Sequence, residues 1–473
     1  MLKKNLIIFL MMVVVLNIIN FTPVFASSSG YVEVIPPKYE QANFFSEGLA
    51  PVTSNGKWGY IDKTGKTVIP LKYKAARPFY KGFASVGISA REGYIYGVID
   101  KKGKVIVKPK YDNIEVFADD IFQVYVGGKW GLIDKTGKVV ITPKYYDMNN
   151  LKDGLAKVGV GNQDHEKWGY INKVGKVIIP PIYDGIGDFF EGLALVTVGK
   201  KCGYINKTGK VVVPLKYNNF LLNYSKDNFS EGLTAVMIGD ETTTKWGFVD
   251  KTGKEVITPK YTEVHSFSNG LAAVKTGDGA DTKWGFIDKT GIEVIPPKYI
   301  EVGNFSGGLA PAEVEYNKWC LIDKTGNVVI TLNYDEVGDF SEGAAVVSLN
   351  GKYGLIDKTG KELVAAMYDY HPDFSEGLAP VCVDFKFGVI DRTGKVVVPL
   401  IYRSISDFVQ GFAVVSLEND KYGLIDKTGK EVVQPKYDGV KNVNDYGQSV
   451  IFSDGLALVY LNGNWGFVKI KWP

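Results

Sequence analysis

Cysteine and histidine are nearly absent from this chain, three of each in 473 residues. Cys202, Cys320 and Cys382 are too few, and odd in number, for a disulfide framework. Each lies inside an apolar, strand-like run, where a thiol behaves as a small buried hydrophobe. Free thiols are expected; a Cys320–Cys382 or Cys202–Cys320 bridge is the alternative. His165, His265 and His371 stand far apart, with no HxH, HExxH or Cys–His cluster, so the sequence offers no metal site. An excess of one charge is also lacking. The 55 basic and 52 acidic residues leave a formal +3, which gives no electrostatic case for nucleic acid. There is no GxSxG, no P-loop and no GxGxxG opening a helix, so neither a catalytic motif nor a cofactor is expected.

A long hydrophobic run occurs once, at the start. Lys3 and Lys4 precede an apolar stretch from Leu6 to Ile19, and Val24 and Ala26 then supply the small residues of a signal-peptidase site. Residues 1–26 therefore read as a secretory signal, with a secreted or cell-surface protein from residue 27 to 473. An uncleaved anchor is the alternative, although the run is short against the roughly 20 residues of a span. No Cys follows the cleavage site, and no second hydrophobic span is visible.

What the chain does have is a repeated line. "KWGYIDKTGKTVIPLKY" (Lys57 to Tyr73) returns as "KWGLIDKTGKVVITPKY" (Lys129 to Tyr145). The Trp-Gly position recurs at Trp58, Tyr96, Trp130, Trp168, Cys202, Trp246, Trp284, Trp319, Tyr353, Phe387, Tyr422 and Trp465, spaced 34 to 44 residues apart. Periods of that size mean solenoids, propellers or arrays. Each unit holds a turn and strand ("FSEGLAPV"), a Trp-Gly strand ("KWGFID") and a third strand ("EVIPPKY"). A fourth, less marked strand is expected in the link "YDEVGDF". The second and third strands are apolar on both faces, so neighbouring units should sandwich them. On this reading the Trp packs on the next unit, and the Gly admits a neighbour's ring or backbone.

The "DKTG" turn separates the second and third strands. Its Asp should accept a backbone N–H two residues on, and its Gly should supply the positive φ of a tight hairpin. A calcium loop is excluded by composition, because one carboxylate followed by a cation falls short of about six oxygens. Asn172 and Asn206 keep the acceptor and drop the charge, which suits a turn.

The ends of the array carry topology. "VEVIPPKY", ending at Tyr39, is a third strand without a Trp-Gly strand before it, whereas "NGNWGFVKIKWP" has no third strand after it. One unit assembled from both termini would complete the count, as in a propeller. The expected fold class is all-β, a tandem of twelve three- to four-stranded antiparallel meanders, β-propeller-like, as one wide ring or two. An open β superhelix is the alternative. A division into two subdomains would fall near 218–230.

The twelve in-register copies resemble the bacterial WG (KWG) repeat family across essentially the whole mature chain. That resemblance implies a bacterial repeat protein used for binding or assembly and brings no catalytic motif to carry over. Replacement of the Trp-Gly pair at Tyr96, Cys202, Cys320, Tyr353, Phe387 and Tyr422 argues against every Trp being a ligand platform.

Variation is concentrated elsewhere. Longer segments follow Gly87, Gly159, Met237 and Lys275 before the Trp-Gly strand, and Tyr217 and Tyr437 after the third strand. In a four-stranded meander both sites fall at one end of the strands, and insertions gathered on one face often bind. Exposed aromatics in these segments, Tyr94, Phe220 and Tyr446, are the candidate binding residues. The function expected is a secreted, non-enzymatic binding or scaffold protein. Its partner would be protein or cell-wall polysaccharide, not nucleic acid, with no stable membrane span after signal cleavage. A propeller-type hydrolase and a purely structural surface protein are the alternatives.

Overall fold

The structure, a computed structural model, describes residues 30–162, 166–218, 229–239, 243–277, 281–441 and 452–470. The described residues are all-β, with no α-helix among them and so no helix among them long and apolar enough to cross a membrane. They form twelve small antiparallel sheets: nine of four strands, two of three and one of five. Numbered in chain order, these are blades 1 to 12 of a β-propeller-like tandem. The expected signal segment and most of the expected boundary near 218–230 lie outside the described residues. The chain divides into two compact units. The first runs up to residue 72 and includes 351–355 and 363–473; the second holds 73–350 and 356–362.

Blade 7, in the second unit, shows the plan. Its strands are a (Glu263–Val264), b (Leu271–Thr276), c (Lys283–Asp288) and d (Glu293–Tyr299), hydrogen-bonded in that order. The fourth strand expected from the link is thus real but only two residues long, and it is the edge strand a. Val, Ile, Phe and Trp set the strands, and residues 265–270 join a to b, ending in a two-residue turn. The turn at Asn269 (φ 55°) and Gly270 (φ 87°) places both residues left-handed and closes with Ser268 and Leu271 exchanging backbone hydrogen bonds of 2.9 and 3.2 Å.

The c–d turn is as the sequence predicts. Asp288 Oδ1 accepts the Thr290 N–H at 2.8 Å, the Thr290 hydroxyl at 2.7 Å and the Ile292 N–H at 3.0 Å. Gly291 takes φ 85°. Asn206 makes the same three contacts at 3.0, 2.7 and 3.0 Å, so the turn needs an acceptor oxygen rather than a charge.

The a–b and c–d turns lie at one end of each blade and are latched to those of the next. Glu231 of blade 6 accepts the Gly270 N–H at 3.1 Å and pairs with Lys289 at 2.8 Å, both in blade 7. Glu376 does the same for Gly411 (3.0 Å) and Lys427 (2.9 Å) between blades 10 and 11. Between blades 2 and 3 the charges are exchanged, Lys81 pairing with Asp119 at 3.0 Å.

The apolar cores lie between consecutive blades. Phe286 and Ile295 of blade 7 join Val302, Phe305 and Ala310 of blade 8 in one buried cluster, and Tyr170 and Ile179 of blade 4 join Ile186 and Val196 of blade 5. Trp284 is buried within the first of these, and Trp168 is half-buried against the second. The Trp therefore works at the blade-to-blade seam, as expected.

Two expectations need correction. The Trp-Gly glycine does not make room for a neighbouring unit. A Cβ at Gly285 would lie 2.4 Å from Ile295 O and 2.6 Å from Pro297 N, both in strand d of the same blade. The register explains why: Trp284 faces Tyr299 and Phe286 faces Ile295, so extra residues of d bulge onto the glycine. Strand d is also not sandwiched on both faces. It is the outer edge, and Val139, Val211, Val328 and Val396 on it are exposed. Its Pro and Lys residues blunt that edge.

Blade 12 is assembled from both ends of the chain. Tyr31–Tyr39 pairs antiparallel with Asn464–Ile470, Tyr31 facing Ile470 and Tyr39 facing Trp465. Glu33 in this first strand accepts the Tyr437 hydroxyl and the Lys436 ammonium, each at 2.6 Å. The paired termini fit the propeller-like class.

Candidate functional site

The strand order puts the b–c hairpins and the d-to-a links at the opposite end of each blade from the latched turns. This is the end where chain length varies. Tyr94 is there, starting strand c of blade 2 and 49% exposed. Phe220 and Tyr446 lie outside the described residues, so the structure brings no other predicted site residue to Tyr94. Sequence reasoning missed three other aromatics at this end: Tyr316 and Phe385 at hairpin tips, 82% and 80% exposed, and Tyr370 in a link, 55% exposed. Their signal was present, since each is a large ring where other copies have a small or polar turn residue.

A second group of residues forms a cleft at the latched end, in the seam between blades 4 and 5. The third position of strand b faces the next blade. It is Pro51, Leu195, Ala273 and Pro380 in blades 1, 5, 7 and 10, but Ser85, Gln123 and Lys157 in blades 2, 3 and 4. Ser85 Oγ donates to Ile114 O, and Gln123 Nε2 donates to Glu115 Oε2 at 3.0 Å and to Asn150 Oδ1 at 3.4 Å. Beside Lys157 the seam holds a cavity of about 250 Å³ lined by Asn149, Asn150, Lys152, Asp188, Tyr170 and Phe189, among others.

The cleft is held by its own contacts. Lys157 Nζ lies 5.0 Å from the Trp168 ring centre. Lys152 pairs with Asp188 at 2.7 Å, and that hydrogen bond holds the Lys152 ammonium above its ordinary pKa. Tyr170 donates its hydroxyl to Gly187 O at 2.7 Å, and its ring tilts against Phe189 with centroids 5.2 Å apart. Burial first, and then Asp188, push the Tyr170 phenol up, away from any phenolate role. Amides, ammonium groups, carboxylates and ring faces converge here, a set suited to a small polar ligand such as a sugar or a peptide segment. Among the described residues no group of three or more His, Cys, Asp or Glu side chains is gathered as for a metal ion.

Cys202, Cys320 and Cys382 are all buried and form no disulfide, and burial pushes the Cys320 and Cys382 thiols up.

Twelve blades, most of them built from an Asp-Gly turn and a Trp-Gly strand over a bulge, define a β-propeller-like repeat protein. The family described as "WG containing repeat" matches in twelve segments, from 32–58 and 58–88 through 96–130 and 130–163 to 387–422 and 422–447. The chain belongs to this WG repeat family. Most matched segments run from one Trp position to the next, so each supplies strands c and d to one blade and a and b to the following one. No curated protein matches the chain. Among solved structures it is similar to BamB from Moraxella catarrhalis, at 14% identity over 68% of this chain and 95% of that one, with a TM-score of 0.28. It is also similar to apo AztD from Citrobacter koseri, at 13% identity over 60% and 92%, with a TM-score of 0.29. A eukaryotic initiation factor matches at 11% identity over 66% and 92%, with a TM-score of 0.30.

Proposed function

We propose that the chain is a secreted, non-enzymatic binding or scaffold protein that recognises cell-wall glycan or an extracytoplasmic protein through the b–c end of its blades. The observation that carries this reading is the asymmetry between blade ends. One end repeats the same Asp, Glu, Lys and Gly turns and spends them on blade-to-blade latches. The other varies in length and exposes rings such as Tyr94 and Tyr316. Exposed aromatics on rigid hairpins supply contact area at little entropic cost, which suits binding.

Secretion rests on residues 1–26 and is tested by N-terminal sequencing of exported protein, which should begin at Ser27. Binding is tested by retention of the mature chain on purified cell-wall sacculi, beside capture of secreted proteins. Deleting 219–228 and 442–451 together should weaken retention; intact binding after both deletions would show that the variable segments are not the recognition surface.

A further inference from the structure

Blade 10 is a place where the repeat is broken within described residues. In other blades the residue after strand a donates its N–H to strand b: Gly303 to Pro311 O, Gly338 to Val346 O and Ser406 to Val414 O, each at 2.9 Å. Blade 10 has Pro372 at that position, which has no N–H to give. Its sheet accordingly has three strands, Leu378–Val383, Lys386–Asp391 and Val396–Tyr402, with no strand a.

The link sets Tyr370 where other blades expose a Glu, and puts His371 outside where they bury a Val. Where blades 8 and 9 have Glu-Val with the Val buried, blade 10 has Tyr370 and His371, both exposed. The Tyr370 ring lies nearly parallel to Phe387, at 10° with centroids 6.2 Å apart. Phe387 holds the Trp position and is half-buried, so Tyr370 is the outer plate of a two-ring stack whose inner plate is fixed in the seam. Beside it His371 Nδ1 lies 2.9 Å from Asp373 Oδ1, and the His371 ring stands edge-on to Tyr353, 5.8 Å away.

The neighbouring hairpin is also unusual. Blades 1, 9 and 12 turn on Asn-Gly: Asn55-Gly56, Asn350-Gly351 and Asn462-Gly463, all left-handed. Blade 10 turns on Asp384-Phe385, with φ 50° and 62°. A Phe in that conformation is strained, and at 80% exposure it recovers little by packing. The tip is tied to the Tyr370 link, because the Asp384 N–H donates to Asp369 Oδ2 at 2.9 Å, and Asp369 is paired with Lys352.

We propose that Tyr370 and Phe385, with Asp373 and His371 at the rim, form a binding platform for the pyranose rings of a polymeric glycan. The apolar C–H face of a sugar lies flat on an exposed ring, and the Asp373 carboxylate and His371 imidazole, in contact with each other in the same link, offer partners for its hydroxyls. The platform is open rather than enclosed, so it suits a sugar within a chain, which continues on both sides, better than a free monosaccharide. This inference rests on the reading of the chain as a binding protein and assigns one ligand class to one blade.

The test uses the full mature chain, residues 27–473, with two probes: purified peptidoglycan sacculi and a soluble β-1,4-linked N-acetylglucosamine hexamer. Wild-type protein should bind at least one. Tyr370→Ala and Phe385→Gly should each weaken binding about tenfold, Tyr370→Phe should retain it, and Tyr80→Ala, an exposed ring at the latched end of blade 2, should leave it unchanged. Phe385→Gly restores the turn residue of other blades, so its loss of binding cannot be blamed on unfolding. Glycan binding that survives both variants overturns the platform but leaves the broader reading. Loss of a bound secreted protein, with no glycan bound by wild type, overturns the glycan assignment. Binding to neither sacculi nor secreted protein defeats the broader reading itself.

Discussion

Gly285→Ala is the sharpest test of how a blade is put together. The added Cβ would lie 2.4 Å from Ile295 O, 2.6 Å from Pro297 N and 2.9 Å from Pro296 C. All three are backbone atoms, so no rotamer change relieves the contact, and strands c and d must part. Overpacking of a tight interior costs about 1–3 kcal/mol, and each ladder hydrogen bond weakened adds about 1 kcal/mol. The removal of glycine's excess chain entropy returns roughly 0.5–1 kcal/mol. The net loss is therefore about 2–4 kcal/mol. Gly270→Ala in the same blade is the control. Gly270 has φ 87° and nothing within 4 Å of its would-be Cβ, so only the left-handed strain remains, about 1–2 kcal/mol. Urea unfolding followed by circular dichroism should rank Gly285→Ala clearly below Gly270→Ala. Equal midpoints, or Gly285→Ala at the wild-type midpoint, would refute the bulge as the reason for the glycine.

Three further outcomes follow from the same contacts. The Thr325 hydroxyl, followed by the Asn327 and Thr325 amides, holds the Asp323 carboxyl at about 2, below the unfolded value of roughly 3.9. Its contribution is thus complete above about pH 4 and is lost as pH falls through about 2. The gap in melting temperature between wild type and Asp323→Asn should shrink on acidification, and a widening gap would contradict the assignment. Removal of residues 27–39 strips the buried Tyr31, Ile35 and Tyr39 from blade 12, roughly 5–9 kcal/mol at about 1.5–3 kcal/mol each. Hydrogen exchange should then show protection lost in blades 12 and 1. A thiol reagent should label none of Cys202, Cys320 and Cys382 in the folded protein and all three in denaturant, since each is buried.

What was legible in the sequence was whatever a residue does locally or by repetition. The Asp-Thr-Gly turn is complete within five residues, and Asn206 reveals its chemistry by substitution. The shared blade 12 was legible because a third strand stands alone at one terminus and is missing at the other. The bulge over Gly285 was not, because alternation of side chains does not count residues across a strand pair. The exposed Val139 and Val211 misled for a related reason: an outer edge strand and a buried one can share the same apolar composition. Lys157 is one of three polar residues, with Ser85 and Gln123, at a position apolar in blades 1, 5, 7 and 10, and the sequence does not show that a cleft lies beside it alone. Pro372 and Phe385 were visible as letters. Their meaning needed the N–H that Pro372 cannot donate and the φ that Phe385 is made to adopt.

The central claim is that the Trp-Gly line is frame and that recognition lies where the frame is broken. Retention on sacculi, with melting temperature in parallel, for Trp168→Phe and Trp130→Phe tests it most directly. Both rings are half-buried at blade seams, and blade 10 already carries Phe387 at this position. The account predicts unchanged retention with at most a small fall in melting temperature. A tenfold loss of retention at unchanged melting temperature would contradict it and return the Trp row to the ligand.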